Sequence, residues 1–227
     1  SQSFTGILPV TTQKAGDLPV QNNTLDLFFD DHAETLITER NLPHWRQVGK
    51  LYFVTWRLAD SLPKVKRDQL EHDREEWQRH YGAKHHRELT PEQRRRYYEL
   101  FNQRVQKWLD AGYGSCALRQ AGPQRIMVDA LHHFKGIRYT LGTFAVAPNH
   151  VHVLVVPFNG VDLSGILHSW KSFTAKSINK ELGRTGKFWI DESYDHLVRN
   201  EVELKRIEGY IARHALSGSY VERHTVL

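Results

Sequence analysis

Apolar and polar residues follow patterns that predict a few β-strands separated by amphipathic helices. The segment from Leu51 to Leu58 is rich in β-branched and aromatic residues and predicts a buried strand. Two further apolar segments, Ile137 to Ala147 and Val151 to Pro157, flank a turn signal and predict neighbouring strands. Ser193 to Val198 is a short fourth candidate.

The segments between these strands show the 3.6-residue periodicity of helices. Two highly charged segments, 64–81 and 91–110, predict a helical hairpin with Thr90 as the N-cap of its second helix. Three more helices are predicted. The first follows Gly122-Pro123 and runs to about Phe134, the second lies between the N-cap Asp162 and the stop signal Gly183, and the third runs from the cap Asn200 to about Ala215.

This order of elements predicts an α+β fold, in which an antiparallel sheet carries helices on one face. A length of 227 residues suits one catalytic domain with decorations. We expect an N-terminal arm over residues 1–41, partly ordered, and a domain over residues 42–227 that contains a helical-hairpin insertion at about 64–110.

Composition adds limits on the partners and on the compartment. An excess of 31 Lys and Arg over 26 Asp and Glu, a net charge of +5, suits a polyanionic partner. The single Cys116 excludes an internal disulfide framework and a cysteine-rich zinc site. Neither a signal-peptide pattern nor an apolar run of about 18 residues occurs, so we expect a cytoplasmic protein without membrane association.

The sharpest local motif is His150-Val151-His152. Residues i and i+2 of a strand project from the same face, so both imidazoles can chelate one cation while Val151, Val153 and Val155 face the other way. The alternative is a pair of strand histidines without a ligand.

The last predicted helix adds two polar groups to this picture. Leu204, Ile207 and Ile211 define its buried stripe, with His214 near the centre of the stripe and Tyr210 at its edge. A buried imidazole needs a partner, and a cation held by the strand histidines would provide one. Alternatively, His214 bonds to the backbone and Tyr210 is an amphipathic core residue. Together a divalent cation and a phenol suit nucleophilic attack on a phosphodiester.

Five stretches of the chain resemble, in kind and order, the REP-associated tyrosine transposases, a branch of the single-tyrosine HUH nucleases. They are Leu51-Tyr-Phe-Val-Thr-Trp-Arg-Leu58, Ala147-Pro-Asn-His-Val-His-Val-Leu154, His168-Ser-Trp-Lys-Ser-Phe-Thr174, Gly186-Lys-Phe-Trp189 and Glu192-Ser-Tyr-Asp-His-Leu-Val-Arg-Asn200. The resemblance covers roughly Leu42 to His214.

The resemblance implies a ferredoxin-like, RRM-like HUH fold, with His150 and His152 as paired metal ligands and Tyr210 as the nucleophile. It implies Mg²⁺ or Mn²⁺ as the cofactor. The implied partner is single-stranded DNA with a REP-like hairpin, which is cleaved and rejoined through a 5′-phosphotyrosine intermediate. A monomer is favoured over a dimer by the same resemblance.

One residue departs from the family pattern. The family usually has an amide four residues after the tyrosine, whereas this chain has His214. We expect His214 to be the third metal ligand. Because imidazole is a softer ligand than an amide oxygen, this change favours Mn²⁺ or another transition metal over Mg²⁺.

Several residues are candidates for DNA contacts. Cations spaced along a helix can follow a phosphate backbone, and aromatic rings can stack on unpaired bases. The candidates are Lys171, Lys176, Arg184, Lys187, Arg199 and the aromatic Trp189, with Phe188 beside it. The alternative is that the cations are solvated and the aromatic residues belong to the core.

Two other functions stay open at this point. One is a catalytically silent module that binds hairpin DNA or RNA on its sheet. The other is a metal-dependent phosphodiesterase in which water replaces Tyr210 as the nucleophile, and which would leave no protein–DNA adduct.

Overall fold

The computed structural model describes residues 27–39 and 43–226 of the chain. The strands are β1 (Leu36–Glu39), β2 (Pro43–Arg46), β3 (Tyr52–Arg57), β4 (Tyr139–Val146), β5 (His150–Pro157), β6 (Tyr194–Leu197) and β7 (Tyr220–Glu222). The helices are α1 (Lys64–His80), α2 (Pro91–Asp110), α3 (Ala121–His133), α4 (Leu163–Glu181) and α5 (Glu201–Arg213). Short 3-10 turns cover His86–Glu88, Ala117–Arg119 and His214–Ser217.

The main sheet has five antiparallel strands in the order β6-β3-β5-β4-β7. Its first four strands have the ferredoxin-like arrangement, because α3 connects β3 to β4 and α4 connects β5 to β6. The predicted α+β fold class is therefore confirmed, as is the pairing of β4 with β5. The short edge strand β7, which pairs with β4, was not predicted.

Both faces of the sheet are covered, which corrects the expectation of helices on one face. The crossover helices α3 and α4 pack on the face that carries Val151 and Val153, with Trp170 of α4 stacked on Trp56. Helix α5 packs its apolar stripe on the opposite face, against Phe53 and other strand residues. The alternation of side chains along β5 separates these two cores.

The predicted helical hairpin is formed by α1 and α2. Thr90 and Gln93 make a capping box at the start of α2, in which each side chain bonds the backbone N–H of the other residue. The two helices share a separate apolar cluster that includes Leu70 and Phe101, and Arg104 of α2 forms an ion pair with Asp73 of α1. Contacts between the two helices thus stabilise the hairpin. The C-terminal end of α2 points toward the sheet.

The described part of the N-terminal region packs against the edge of the main sheet. Leu27 is buried, its carbonyl accepts the N–H of Leu51, and β1 and β2 form a small hairpin that was not predicted. His44 of β2 bonds Asp195 of β6 and Glu192. Of the expected arm over residues 1–41, residues 1–26, 40 and 41 lie outside the described part of the chain.

No helix within the described part of the chain is both long enough and apolar enough to cross a membrane.

Candidate active site

Strand β5 presents two histidines on the face covered by α5. His150 and His152 are both fully buried, and their rings lie 4.5 Å apart between centroids. The pairing of β5 with β3 places Thr55 opposite His152, where its hydroxyl lies 2.7 Å from His152 Nδ1. The Nε2 atom of His152 is thereby directed toward α5.

Asn149 orients the other histidine. Its side-chain Nδ2 donates to the carbonyl of Tyr113 at 2.8 Å, which leaves Oδ1 to accept a hydrogen bond from His150 Nδ1 at 2.7 Å. The proton of His150 therefore resides on Nδ1, and the lone pair on Nε2 faces the site. An imidazole whose distal nitrogen is held in this way has the arrangement that metal-ligating histidines usually show.

Helix α5 brings the tyrosine and the third histidine to the same place. Asn200 caps the helix by accepting the N–H of Glu203, and buried Ile211 anchors the stripe against the sheet. Tyr210 and His214 consequently face β5. The ring centroid of His214 lies 4.8 Å from that of His152, and the Tyr210 hydroxyl lies 3.3 Å from His152 Nε2.

The C-terminal end of α2 supplies two groups that were not predicted. Asp110 Oδ1 and Gln106 Oε1 each lie 3.4 Å from the Tyr210 hydroxyl, and Asp110 Oδ1 lies 3.8 Å from Nε2 of both His150 and His214. The sequence signal that could have grouped these two residues was their i, i+4 spacing, which places them on one face of the predicted helix. Nothing in the local pattern showed that this face meets the β5 histidines.

Burial controls the protonation of the site. It lowers the pKa of His150 to about 3, and it lowers the pKa of His152 well below its ordinary value. Both rings are therefore neutral at physiological pH. Burial raises the pKa of Tyr210, and the charge on Asp110 adds to that effect, so the phenol keeps its proton in the resting site.

The donor set fits a divalent cation. Among the described residues, His150 Nε2 and His214 Nε2 are buried without a hydrogen-bond partner, although unpaired buried polar atoms are costly. One ligand atom each from Asp110, His150, His152 and His214 can be chosen so that all four lie within 4.8 Å of one another. A cation among them would satisfy both orphaned nitrogens.

A cavity of about 130 Å³ opens beside this cluster. Its wall includes Asp110, His150 and His214, together with Arg119 from the 3-10 turn that precedes α3. A guanidinium next to a cluster of potential metal ligands suits an anionic substrate group. The cavity therefore gives such a group access to Asp110, His150 and His214.

Comparison with known proteins finds a family that matches part of the chain. Residues 129–214 match the family described as "Transposase IS200 like", a span that contains His150, His152, Tyr210 and His214. This part of the chain is similar to the IS200-like transposases. The resemblance seen in the sequence is thus confirmed over these residues at the level of that family.

Two solved structures are similar to the chain. One is a REP-associated tyrosine transposase bound to a REP hairpin, with 14% identity, a TM-score of 0.42, and coverage of 77% of this chain and 71% of that chain. The other is a proposed transposase from Deinococcus radiodurans R1, with 11% identity, a TM-score of 0.29, and coverage of 82% and 95%. No curated protein matches the chain. Because both TM-scores are below 0.5, the similarity to transposases rests on the family match alone.

The predicted DNA contacts lie mostly away from the tyrosine. Helix α4 packs on the face of the sheet opposite to His150, and it carries Lys171 and the exposed Lys176. Lys171 Nζ donates to the carbonyl of Asp191 at 2.7 Å. The remaining cations follow α4 and precede α5: Arg184 lies over the Phe188 ring, Lys187 pairs with Asp191, and Arg199 is exposed.

The prediction that Trp189 stacks on a DNA base was wrong for this conformation. Its side chain is only 4% exposed, it packs edge-on against Trp56, and its Nε1 donates to Thr174 Oγ1 at 2.9 Å. Phe188 is buried beside it. Both rings belong to the core between the sheet and α4, which was the alternative for these two residues.

Proposed function

We propose that this protein is a metal-dependent single-strand DNA nuclease and strand transferase that acts through a 5′-phosphotyrosine on Tyr210. The observation that carries the proposal is the convergence of the Tyr210 hydroxyl, 3.3 Å from His152 Nε2, with the unpartnered Nε2 atoms of His150 and His214. A purely binding protein has no need of a buried phenol beside orphaned imidazoles. The proposed REP-type hairpin substrate rests on the five motifs that resemble REP-associated transposases.

In the proposed reaction, Tyr210 Oη attacks the scissile phosphorus, an Oη–P bond forms and the P–O3′ bond breaks. The products are a 5′-phosphotyrosine and a 3′-oxygen leaving group, which takes up a proton from water to become a free 3′-hydroxyl. Because the phenol is protonated at rest, its proton must move to an acceptor, and the Asp110 carboxylate at 3.4 Å is placed to take it. Reversal of these steps with another 3′-hydroxyl rejoins a strand without ATP.

The proposed metal ligands are His150, His152 and His214, while the neighbouring Asp110 keeps its role as the proton acceptor. A bound cation supplies polarisation of the scissile phosphate and neutralisation of its developing charge. Three imidazoles form a softer donor set than the oxygen ligands that Mg²⁺ prefers. We therefore propose Mn²⁺ as the better cofactor, with Mg²⁺ as the weaker one.

The site is complete within a single chain. Tyr210 lies against His152 of its own protomer, and α5 is joined to β6 by a short connection at residues 198–200. This arrangement supports a monomer as the active form. We further propose that Lys171, Lys176, Arg184, Lys187 and Arg199 hold the duplex stem of the hairpin on the α4 side of the domain.

The deciding experiment is a covalent-adduct assay. The protein is incubated with Mn²⁺ and a 3′-labelled single-stranded oligonucleotide that carries the repeat hairpin flanking its own gene, and the products are separated on a denaturing gel. The tested variant is Tyr210→Phe. The matched control is Tyr220→Phe, which removes a partly exposed hydroxyl from β7.

We expect the label to migrate with the wild-type protein and with Tyr220→Phe, but not with Tyr210→Phe. Addition of EDTA should abolish the adduct. Cleaved DNA without any adduct, at equal rates in all three proteins, would instead identify water as the nucleophile. Hairpin binding without cleavage in either metal would identify a silent binding module.

A further inference from the structure

A second cavity, of about 160 Å³, lies between the helical hairpin and the β3–β6 edge of the sheet. Thr55 and Arg57 of β3 line it, as do Arg74 of α1 and Asn102 and Gln106 of α2. We call it the arginine pocket.

The arginine pocket adjoins the candidate active site directly. Its residue Thr55 bonds His152 Nδ1, and its residue Gln106 lies 3.4 Å from the Tyr210 hydroxyl. Leu109 of α2 lines both this pocket and the cavity beside the histidines. The end of α2 therefore stands between two cavities, with the tyrosine at their boundary.

Within the described part of the chain, the two arginines of this pocket have no acidic partner. Among the described residues, no carboxylate forms an ion pair with Arg57 or Arg74, and Arg74 Nε is buried without a hydrogen bond. The contacts they do make are neutral: Arg57 Nη1 donates to Ser61 Oγ, and Arg74 lies over the Phe101 ring. Burial and the charges of Arg67 and Arg74 lower the pKa of Arg57 to about 10.

The acidic group in the pocket wall is already neutralised. Among the described lining residues, the one carboxylate is Glu192, and it accepts a hydrogen bond from His44 Nε2 at 3.0 Å. His44 also bonds Asp195, and these bonds hold His44 in its charged form. Partly buried guanidinium groups without a counter-charge are costly, so this pocket favours an anion.

Size and donor geometry identify the kind of anion. Pockets for drug-sized ligands hold roughly 300–1,000 Å³, about twice this volume or more. A guanidinium fork matches the oxygens of a phosphate. We propose that the arginine pocket binds one backbone phosphate of the single strand next to the scissile position, with Arg74 as its principal ligand. This inference rests on the proposed function for the identity of the strand.

The pocket also gives the helical hairpin a role. Arg74 belongs to α1, while Asn102 and Gln106 belong to α2, so the hairpin supplies the wall that faces β3. A strand held there and at Arg119 in the first cavity would cross the Tyr210 hydroxyl between two fixed phosphates. Such positioning is how binding groups remote from the reacting atoms raise the rate of a reaction.

The test measures binding in Tyr210→Phe protein with EDTA, so that no cleavage occurs. Fluorescence anisotropy follows the hairpin oligonucleotide over a range of salt concentrations. The variant is Arg74→Gln. The matched control is Arg96→Gln, which makes the same charge change on an exposed arginine that pairs with Glu92.

We expect Arg74→Gln to weaken binding about ten-fold, the effect of losing a hydrogen bond to a charged group. We expect it to reduce the slope of log K against log salt by about 0.7, the value for one phosphate of a single strand. Arg74→Lys should keep the slope and lose part of the affinity. Thermal unfolding of each variant checks that the fold is intact.

Phosphate identity is tested by replacing single phosphates of the oligonucleotide with neutral methylphosphonates. One position should weaken binding about ten-fold with Arg74 present and have no further effect on Arg74→Gln. Equal effects of that position on both proteins would overturn the proposal. So would stabilisation by inorganic phosphate through Arg74 without any methylphosphonate coupling, because the pocket would then hold a free anion.

The two proposals can fail separately. A Tyr210 adduct in the cleavage assay, together with identical binding by Arg74→Gln and Arg96→Gln, would remove the arginine pocket and leave the nuclease. Methylphosphonate coupling to Arg74 without any adduct would remove the tyrosine mechanism and leave the pocket as a strand-binding site.

Discussion

The ion-pair cluster around His44 should make the fold less stable at alkaline pH than at neutral pH. His44 is 6% exposed and bonds Asp195 and Glu192, while Arg46 pairs with the same Asp195. Burial alone would lower the pKa of His44. The hydrogen bonds to the two carboxylates outweigh burial and raise it from 6.5 to about 9.

A folded-state pKa above the unfolded value means that folding favours proton uptake by His44. The resulting stabilisation is fully present below about pH 6.5 and is lost as the pH rises through about 9. At 1.36 kcal/mol for each pH unit, the interval between 6.5 and 9 corresponds to about 3 kcal/mol. That is a large share of the ~5–15 kcal/mol by which domains are stable.

The assay is urea unfolding of the wild type and of His44→Gln at several pH values between about 6 and 10. Subtraction of the variant removes the titration of all other groups. We expect the stability advantage of the wild type to fall by about 3 kcal/mol between pH 6.5 and pH 9.5. An advantage that stays constant or grows with pH would refute this account of His44.

Three further predictions concern the supports of the site. Thr55→Val removes the hydroxyl that holds His152, and we expect Mn²⁺ affinity, measured by calorimetry, to fall roughly 10–100-fold with the fold intact. Gly114→Ala would place Cβ 2.4 Å from the Asp60 carbonyl oxygen at φ +88°, and should cost roughly 2–4 kcal/mol in denaturant unfolding. Asn200→Ala removes the α5 N-cap and should cost about 1 kcal/mol. Unchanged values for these variants would contradict the corresponding contact.

Local patterns in the sequence were sufficient to predict most strands of the main sheet and the helices that pack on it. The alternation of Val151, Val153 and Val155 with His152 and Leu154 predicts both a strand and the direction in which the histidines point. The 3.6-residue stripe of the last helix likewise places Tyr210 and His214 on its sheet-facing side. In both cases the period of the secondary structure alone determines the geometry.

Other features depend on contacts between distant segments. Asp110 lies 100 residues before Tyr210, and their approach follows from how the helical hairpin packs on the sheet. The strand β7 pairs with β4 through only three residue pairs, too few for a pattern. The burial of Trp189 depends on the closeness of Trp56 and Thr174, which no local period encodes.

Strand β5 ties the proposed chemistry to the integrity of the fold. Its odd-numbered valines fill one core while His150 and His152 face the other, in register with Arg57 and Thr55 of β3. A shift of one residue in the register of β5 would place both imidazoles in the apolar core beneath α3 and α4 and would turn the valines toward α5. The cost of burying the imidazoles and exposing the valines would thus be enough to disfavour the misaligned state. All molecules that fold should therefore hold the two histidines in the same place. Activity per folded molecule should stay constant when destabilising substitutions are made elsewhere in the chain.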